Sequence, residues 1–332
     1  MSTAARTLGG VPVEAIGLGC MNLSHAYGAP PGEAEAEALL NAAIDQGMTW
    51  FDTAALYGFG ANERLVGRVL RPHRDRVLIC SKGGMSGQPT GPGGALQRVI
   101  DGRPESLQRD CEDSLRRLGV DVIDLYYLHR WDRRVPIEES VGALSRLVDQ
   151  GKVRMLGLSE VSSATLRRAH AVHPIAAVQS EYSLWSRDVE RGMLAACAEL
   201  DVRLVAFSPL GRGFLADRLA SPDQLSPQDL RRQMPRFQPE AWPTNLRCLA
   251  ALRQLAADNG CTPGQLALAW VLSRGSHVLA IPGTTQLAHL AENWAARALR
   301  LSPAVLAQAA ALMTGIEGAR YAAATFAEID GD

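Results

Sequence analysis

The sequence of 332 residues lacks the features of several specialised classes of protein. It has no run of about 18 apolar residues that could cross a bilayer, and its opening MSTAARTLGG lacks the basic and then apolar profile of a secretory signal. It also lacks an excess of positive charge, since 34 Lys and Arg face 35 Asp and Glu. We therefore predict a soluble, cytoplasmic protein that binds neither nucleic acid nor membranes.

Paired cysteines are absent and lysine is scarce. The six cysteines are scattered without CxxC or Cys/His metal spacing, so we expect reduced thiols and no metal site. The only lysines are Lys82 and Lys152, and arginine supplies the other positive charges. Lys152 follows a glycine in a turn that enters a strand and is expected to be solvated. Lys82 is a candidate for a role that requires an ammonium group.

Short apolar runs alternate with amphipathic stretches along the whole chain, which is the pattern of parallel βα units. Stretches such as ESLQRDCEDSLRRLGV have apolar residues at helical spacing and a glycine at the end. The apolar runs are centred near eight positions: Ile16, Phe51, Ile79, Leu125, Met155, Val178, Val205 and Leu279. Eight strands, each followed by a helix, predict one (β/α)8 TIM barrel domain over residues 1–332.

Three further features refine this architecture. A doubly wound open sheet would require a dinucleotide fingerprint after its first strand, but GLGCMNLS has Gly17 and Gly19 without a third glycine that opens a helix. The opening TLGGVPVEAIG predicts a β-hairpin before the first barrel strand. The Pro-, Arg- and Gln-rich stretch from Gly211 to Trp242 predicts a long loop after strand 7, which we interpret as a cofactor or substrate lid.

Polar residues just after the apolar runs are the candidates for chemistry, because a barrel of this kind has its active site at the carboxyl ends of its strands. Asp52 and Tyr57 follow the second run, Lys82 ends the third and His129 ends the fourth. Each could instead be structural, as a loop aromatic, a strand-end charge or a satisfied polar residue. Their joint placement at successive strand ends favours a proton-transfer site.

Lys82 could activate Tyr57. Lowering a phenol pKa of about 10 by about three units requires about 4 kcal/mol. An ammonium group at about 4 Å supplies roughly 4 kcal/mol at an effective dielectric constant of about 20. Asp52 would keep Lys82 charged, and His129 would orient or polarise a carbonyl oxygen.

The later strand ends offer groups for a nicotinamide dinucleotide, which would carry the hydride. Ser159, Glu160 and Gln179 could bind a carboxamide, and Phe207 could stack on a flat ring or belong to the core. Two turns could meet phosphates: the one with Ser208, Leu210, Gly211 and Gly213, and the one with Gly283, Thr284 and Thr285.

The sequence resembles the aldo-keto reductase superfamily over almost its entire length. The matching stretches, in the same order, are FDTAALYG, GANERLVG, SLRRLGVDVIDLYYLH, GKVRMLGLSE, VQSEYSLW, AFSPLGRGFL, RRQMPRF and IPGTTQLAHLAEN. The resemblance is strongest to the bacterial and plant branch that reduces small aldehydes and ketones, including pyridoxal-type compounds. It implies a (β/α)8 barrel that binds NADPH (NADP+) in an extended pose and a catalytic tetrad of Tyr57, Lys82, Asp52 and His129, with Tyr57 as proton donor.

The resemblance also implies roles at the cofactor site. Ser159 and Gln179 would hold the carboxamide, and Glu292 and Asn293 the adenine. The 2′-phosphate would lie near Thr284, Thr285 and His289. The arginine that folds over it would be Arg218 or one from the RRQMPRF stretch, Arg231, Arg232 or Arg236. The remaining expected cofactor contacts are Gly19, Met21, Asp52, Phe207, Ser208, Leu210, Gly211, Gly213 and Gly283.

Four positions depart from the family pattern. Phe207 replaces the usual Tyr or Trp and keeps the stacking face. Glu160 stands where many members have Asn or Arg. Thr285 and His289 stand where many members place Lys and Arg, so we expect a narrower preference for NADPH over NADH.

These residues predict the reduction of small aldehydes or ketones to alcohols. One alternative is a non-catalytic NADP-binding subunit of the channel-accessory type, which typically lacks a histidine at the position of His129. Another is a dehydrogenase that oxidises an alcohol or sugar. The residues expected around the small carbonyl substrate are Tyr27, Met85, Trp131 and Trp185. The sequence fixes neither the substrate nor the oligomeric state.

Overall fold

The computed structural model describes residues 6–24, 26–91 and 94–332. The strands are, in chain order, β1 (Arg6–Leu8), β2 (Val11–Val13), β3 (Leu18–Gly19), β4 (Trp50–Asp52), β5 (Leu78–Gly83), β6 (Met85–Pro89), β7 (Leu96–Ile100), β8 (Ile123–Leu128), β9 (Val153–Ser159), β10 (Ile175–Glu181), β11 (Arg203–Phe207) and β12 (Val278–Ile281).

Eight of these strands form one parallel sheet in the spatial order β12-β11-β10-β9-β8-β5-β4-β3. The sheet curls so that its two edges meet. Ile16 forms a parallel bridge with Ala280, and the backbone N–H of Gly17 donates to the Ala280 carbonyl at 2.9 Å. A Cβ atom at Gly19 would lie 2.8 Å from the carbonyl oxygen of Ile281, so this close approach of the first strand to the last requires glycine. The predicted (β/α)8 barrel is confirmed.

The predicted N-terminal hairpin is present as the antiparallel pair β1 and β2. Leu8 and Val13 belong to a buried cluster with side chains from six of the barrel strands, including Trp50 and Leu125. The indole N–H of Trp50 donates to the carbonyl of Glu14 at 2.9 Å. The hairpin thus seals the amino-terminal end of the barrel and leaves the opposite end open for a site.

Helices cover the outside of the barrel, except for the last one, which lies in the C-terminal segment at the open end. They are α1 (Glu33–Asp45), α2 (Ala61–Leu70), α3 (Pro104–Leu118), α4 (Ile137–Asp149), α5 (Ser163–Val172), α6 (Met193–Glu199), α7 (Trp242–Asp258), α8 (Pro263–Leu272), α9 (Leu287–Ala295), α10 (Pro303–Leu312) and α11 (Ala323–Phe326). α3 begins with Pro104 and is followed by Gly119, whose φ of 66° is the left-handed conformation that favours glycine after a helix. Within the described ranges, no helix combines the length and the apolar character needed to cross a membrane.

The long loop after β11 runs over residues 208–241 and contains four short 3-10 turns instead of a regular helix. It crosses the open end of the barrel, and the side chains of Leu225, Met234 and Phe237 are buried beneath it. Burial of these side chains shows why so long a loop is ordered against the barrel.

Two segments that the sequence analysis did not anticipate also reach the open end. β6 and β7 form an antiparallel hairpin directly after the third barrel strand. The C-terminal segment beyond α10 returns across the barrel, where Glu328 accepts from Arg98 on β7 at 2.6 Å and Asp330 accepts from the backbone of Ser162 at 3.0 Å. The hairpin and this segment are therefore connected to each other and to the barrel rim.

Candidate active site

A cleft of about 1010 Å³ opens at the carboxyl ends of the barrel strands. Its volume lies at the upper end of the range for ligand sites, about 300 to 1000 Å³, which leaves room for a dinucleotide and a small second molecule. The cleft extends from Tyr57 and His129, after the early strands, to His289 and Asn293 in α9. The long loop, the β6–β7 hairpin and the C-terminal segment form its walls.

The four candidate catalytic side chains meet at one end of this cleft. The ammonium of Lys82 donates to the hydroxyl of Tyr57 at 3.2 Å and to the carbonyl of Thr53 at 2.9 Å, and it forms an ion pair with Asp52. The rings of Tyr57 and His129 meet edge to face, with centroids 5.9 Å apart. Tyr57, Asp52 and His129 line the cleft, and Lys82 lies fully buried behind them.

The register of the barrel strands brings the ion pair together. Asp52 is the last residue of β4 and lies beside Cys80 of β5, two residues before Lys82. The Lys82 carbonyl also accepts from the backbone N–H of Ala55, which fixes the start of the loop that carries Tyr57. Parallel strands end at the same rim, so the sequence order of strand-end residues becomes a spatial cluster.

Asn62 holds the loop of Tyr57 from outside the cleft. It is fully buried, it accepts from the hydroxyl of Thr53 at 2.5 Å and it donates to the carbonyl of Cys20 at 2.9 Å. Before it, Gly58 and Phe59 have φ of 55° and 50°, so the chain turns sharply after Tyr57. Asn62 ties the loops after two strands to the start of α2, a role that the sequence pattern did not reveal.

Burial and charge have opposing effects at this end of the cleft. Burial alone would lower the pKa of Lys82, but the negative charge of Asp52 and its hydrogen bonds outweigh it, so the pKa is raised and the ammonium stays charged. Burial raises the pKa of Tyr57, and the charge of Lys82 offsets only part of this rise. The expected lowering of the Tyr57 pKa is therefore not seen, because the cost of burying a phenolate exceeds the attraction of one ammonium.

The next part of the cleft contains the groups expected to contact a nicotinamide. Gln179 donates to the second carboxylate oxygen of Asp52 at 2.8 Å, so this carboxylate also orients the amide. The hydroxyl oxygen of Ser159 accepts from Arg130 at 3.2 Å, which leaves its hydrogen for another acceptor. The half-buried ring of Phe207 lines the cleft next to these groups.

The loop after Phe207 has an unusual backbone. Ser208 and Arg212 have φ of 48° and 59°, a backbone conformation that residues other than glycine rarely adopt, and Gly213 has φ of 89°. Strain of this kind persists where the surroundings enforce it, and it is concentrated at ligand sites. The turn lines the cleft through Ser208, Leu210 and Gly213 and can offer backbone N–H groups to a pyrophosphate.

The far end of the cleft is formed by the start of α9 and the long loop. Arg218 donates to Glu292 at 2.6 Å, which bridges the two walls of the cleft. Burial and the nearby charge of Arg218 lower the pKa of His289 below its usual value. Thr285 lies two residues before α9, in the turn that follows the last barrel strand.

The cleft thus brings together most of the residues predicted to bind the cofactor. Those that line it are Gly19, Met21, Asp52, Ser159, Gln179, Phe207, Ser208, Leu210, Gly213, Arg218, Gly283, Thr285, His289, Glu292 and Asn293. Gly211 does not, because a Cβ atom there would point into the indole of Trp185, at 2.7 Å, and its φ of 55° serves the turn. Glu160 is also absent from the lining, since its carboxylate binds Arg320 at 2.8 Å.

The predicted substrate residues divide into two groups. Tyr27 and Met85 line the cleft. Trp185 does not, because its indole stacks on Phe214 with centroids 4.3 Å apart and packs in the core under the long loop. Trp131 does not line it either, since its indole N–H donates to the Val135 carbonyl at 2.9 Å and its ring faces Arg168 on the outside.

Several residues that line the substrate end were not predicted. Arg130 directly follows His129, and Arg212 lies in the turn after Phe207, between Gly211 and Gly213. Tyr321 and Thr325 come from the C-terminal segment, which has no strand or motif to mark it in the sequence. The adjacency of Arg130 to His129, and the place of Arg212 within the predicted turn of Ser208 to Gly213, could have suggested these two.

These groups fit NADPH. A flat ring faces the catalytic end, a hydroxyl and an amide are available for the carboxamide, and a turn of left-handed residues is available for the pyrophosphate. Ser208, Thr285, His289 and Arg218 offer the donors that an adenosine phosphate requires. Within the described part of the chain, no group of three or more His, Cys, Asp or Glu could hold a metal ion.

Comparison with known proteins agrees with this geometry. Residues 15–313 match the aldo/keto reductase family. The chain is 41% identical over 329 residues to "Aldo-keto reductase yakc [NADP(+)]" of Schizosaccharomyces pombe, covering 97% of this chain and 95% of that protein. The chain belongs to the aldo/keto reductase family, as the sequence predicted.

Solved structures show the same fold. A glycerol dehydrogenase from Gluconobacter oxydans superposes with a TM-score of 0.86 at 26% identity, covering 97% of this chain and 100% of that chain. An aldo-keto reductase from Klebsiella pneumoniae in complex with NADPH has a TM-score of 0.71 at 30% identity, covering 96% of this chain and 100% of that chain.

Proposed function

We propose that Tyr57 is the proton donor in the reduction of a carbonyl compound, supported by Lys82, Asp52 and His129. The class of enzyme is an NADPH-dependent aldo/keto reductase, in agreement with the prediction. The observation that carries the residue roles is the contact of Lys82 with both Tyr57 and Asp52 at the end of the cleft next to Phe207. When bound, NADPH supplies the hydride that adds to the carbonyl carbon.

Each side chain has a defined task. Lys82 can only donate, so the oxygen of Tyr57 accepts from it and the Tyr57 hydrogen can pass to the substrate oxygen. An alkoxide is a stronger base than a phenolate, so this transfer is downhill even with the pKa of Tyr57 raised. His129 lies beside the phenol and can orient the substrate oxygen by a hydrogen bond. Asp52 keeps the ammonium charged and holds Gln179.

The protonation state of Tyr57 suits the role of a proton donor. Burial raises its pKa, so the phenol is protonated at neutral pH, which is the form that a proton donor requires. Alcohol oxidation would require the phenolate, which burial disfavours. We therefore propose that Tyr57 is poised as a proton donor for reduction. The same residues can also catalyse alcohol oxidation, and the glycerol dehydrogenase of similar fold suggests glycerol as one alcohol to test in reverse.

A non-catalytic NADP-binding subunit is the less suitable alternative. His129 is present, lines the cleft and faces Tyr57, so the tetrad is complete.

We also propose that the chain acts as a single barrel domain in the cytoplasm. The six cysteines are all free, as is usual in a reducing compartment.

The test is an NADPH-oxidation assay against a panel of aldehydes, diketones, sugars and pyridoxal, with NADP+ and glycerol for the reverse reaction. Reduction of at least one carbonyl compound, lost in Tyr57→Phe, is the expected result. Failure of every carbonyl compound, with NADPH binding intact, would favour the non-catalytic subunit. Faster oxidation than reduction at neutral pH would reverse the proposed direction.

A further inference from the structure

The substrate end of the cleft contains a guanidinium without a carboxylate partner. Arg130 is half-buried and lines the cleft one residue after the catalytic His129. Its hydrogen bonds go to the His129 carbonyl at 2.8 Å and to the Ser159 hydroxyl at 3.2 Å. Its neighbour Arg134 pairs with Asp132 at 2.8 Å, whereas no carboxylate of residues 6–24, 26–91 and 94–332 lies at ion-pair distance from Arg130.

Two tyrosine hydroxyls on the facing walls are arranged as donors. Arg212 donates to the hydroxyl oxygen of Tyr27 at 3.2 Å and to that of Tyr321 at 2.5 Å. A guanidinium can only donate, so both hydroxyl oxygens accept from it and their own hydrogens are available to other acceptors. Tyr27 and Tyr321 both line the cleft, so this wall presents O–H donors to a bound molecule.

The acidic groups behind this wall are already engaged. Glu181 is buried and accepts from Arg212 at 2.8 Å and from Ser186 at 2.8 Å. Glu160 is buried and pairs with Arg320 at 2.8 Å. These carboxylates therefore hold the arginines in place from behind and offer no free acceptor to the cleft, so an anion in the cleft does not meet an unpaired carboxylate there.

Arg130 also lies within electrostatic reach of the reacting end. Burial raises the pKa of Tyr57 and of Tyr321, and the charge of Arg130 opposes that rise at both residues. The positive charge of Arg130 therefore reaches both the phenol of Tyr57 and the phenol of Tyr321 in the C-terminal wall of the cleft. Tyr321 lies in the C-terminal segment, beyond residues 15–313, which match the family.

We propose that the substrate is a carbonyl compound that carries an anionic oxygen group, a carboxylate or a phosphate, bound by Arg130 together with the hydroxyls of Tyr27 and Tyr321. A planar guanidinium that faces only neutral acceptors is suited to bind such a group through charge-assisted hydrogen bonds. The carbonyl would then lie toward Tyr57 and His129. This inference rests on the proposed function and adds the substrate class to it.

The test uses aldehydes in matched pairs, one charged and one neutral. 4-Carboxybenzaldehyde is compared with methyl 4-formylbenzoate, and glyceraldehyde 3-phosphate with glyceraldehyde, each by NADPH oxidation. We expect kcat/KM for the charged member of at least one pair to exceed that of the neutral member about tenfold or more, mainly through KM. The pair that shows the preference identifies carboxylate or phosphate as the group recognised.

Variants assign the preference to residues. Arg130→Met should remove it, Arg130→Lys should restore part of it, and Tyr321→Phe should lower it several-fold. Arg116→Met is the matched control, because it removes the same charge from an exposed position on α3 outside the cleft, and it should keep the full preference. Equal rates within both pairs for the parent enzyme, or a preference retained in Arg130→Met, would overturn the inference.

A binding measurement separates this inference from the proposed function. The enzyme loaded with NADP+ should bind benzoate at least about tenfold more tightly than benzamide by calorimetry, and Arg130→Met should abolish the difference. If no aldehyde is reduced but this difference is found, the proposed function fails and the anion site stands. If Arg130→Met weakens NADPH binding as much as benzoate binding, Arg130 serves the cofactor and the inference is wrong.

Discussion

The ammonium of Lys82 donates to the hydroxyl oxygen of Tyr57 at 3.2 Å while it forms an ion pair with Asp52 on its other side. All three groups are buried, so neither partner is screened by water. A point charge on a flexible stem can contact the phenol, the carboxylate and the Thr53 carbonyl together. This geometry explains why one of the two lysines of an arginine-rich chain stands here.

Lys82→Arg is expected to lower kcat by at least about a hundredfold, although it keeps the charge. The guanidinium is larger and planar, and the space around Lys82 is fully enclosed, so the group must displace Tyr57 or Asp52. The measurement is kcat for the best aldehyde at saturating NADPH, with a thermal melt to show that the variant folds.

Lys152→Arg is the matched control for that variant. Lys152 is the other lysine of the chain, is partly exposed and pairs with Glu112 at 2.8 Å, a contact that arginine can also make. Its activity should equal that of the parent. Near-normal kcat in Lys82→Arg would show that the site needs only a positive charge.

The cofactor-free enzyme should ionise Tyr57 above the usual tyrosine pKa of about 10, because burial raises this pKa. The tyrosinate absorbance of the parent minus that of Tyr57→Phe isolates this one phenol. Lys82→Met, measured against its own Tyr57→Phe double variant, should raise the midpoint further, since Lys82 opposes the shift. A parent midpoint below 10 would mean that Lys82 outweighs burial.

The contribution of His289 to the preference for NADPH over NADH should depend on pH only below about pH 6.5. Burial and Arg218 lower the pKa of His289, so its cation is present at low pH and is lost as pH rises through a value below about 6.5. The ratio of the Kd of NADH to that of NADPH in the parent, divided by the same ratio in His289→Gln, should fall between about pH 5 and pH 6.5 and then level off.

His289→Gln and His289→Arg are the controls for that pH dependence. The 2′-phosphate titrates in every variant, so His289→Gln shows the phosphate contribution alone. In His289→Arg the ratio of the Kd of NADH to that of NADPH should be larger than in the parent, and it should lack the pH dependence that the imidazole causes. The same pH profile in the parent and in His289→Gln would place the 2′-phosphate away from His289.

Treatment with EDTA should leave carbonyl reduction unchanged. The proposed acid is the phenol of Tyr57, and the described residues contain no cluster of ligand type and number that could hold a catalytic metal ion. The assay compares NADPH oxidation before and after dialysis against the chelator. Loss of activity that one added metal ion restores would contradict the proton-donor role.

The barrel and the clustering of Asp52, Tyr57, Lys82 and His129 could be predicted because both depend on local order in the sequence. Asp52, Lys82 and His129 each end or directly follow an apolar strand, and parallel strands end at one rim. The resemblance to a known family then added the residues expected to bind the cofactor. The cleft contains nearly all of them, because a strand-end turn lies at the rim whatever its detailed conformation.

What the sequence could not predict depends on long-range packing. Trp185 is a large aromatic residue of the kind that often lines a substrate site. Its indole stacks on Phe214 instead, a contact set by how the long loop folds. Tyr321 reaches the cleft only because the chain returns across the barrel after its last helix. The raised pKa of Tyr57 depends on how completely the phenol is buried, and the distance between charges alone does not reveal this.

The most direct test of the account is the rate of one turnover in Tyr57→Phe. The variant keeps the ring that meets His129 and removes the hydroxyl that accepts from Lys82. NADPH oxidation by pre-loaded enzyme should slow by about two to three orders of magnitude, with the Kd of NADPH within about twofold of the parent value. Tyr182→Phe, which removes a buried hydroxyl bonded to Glu190, should react at the parent rate. A Tyr57→Phe enzyme that reacts as fast as the parent would contradict the assignment of Tyr57 as proton donor.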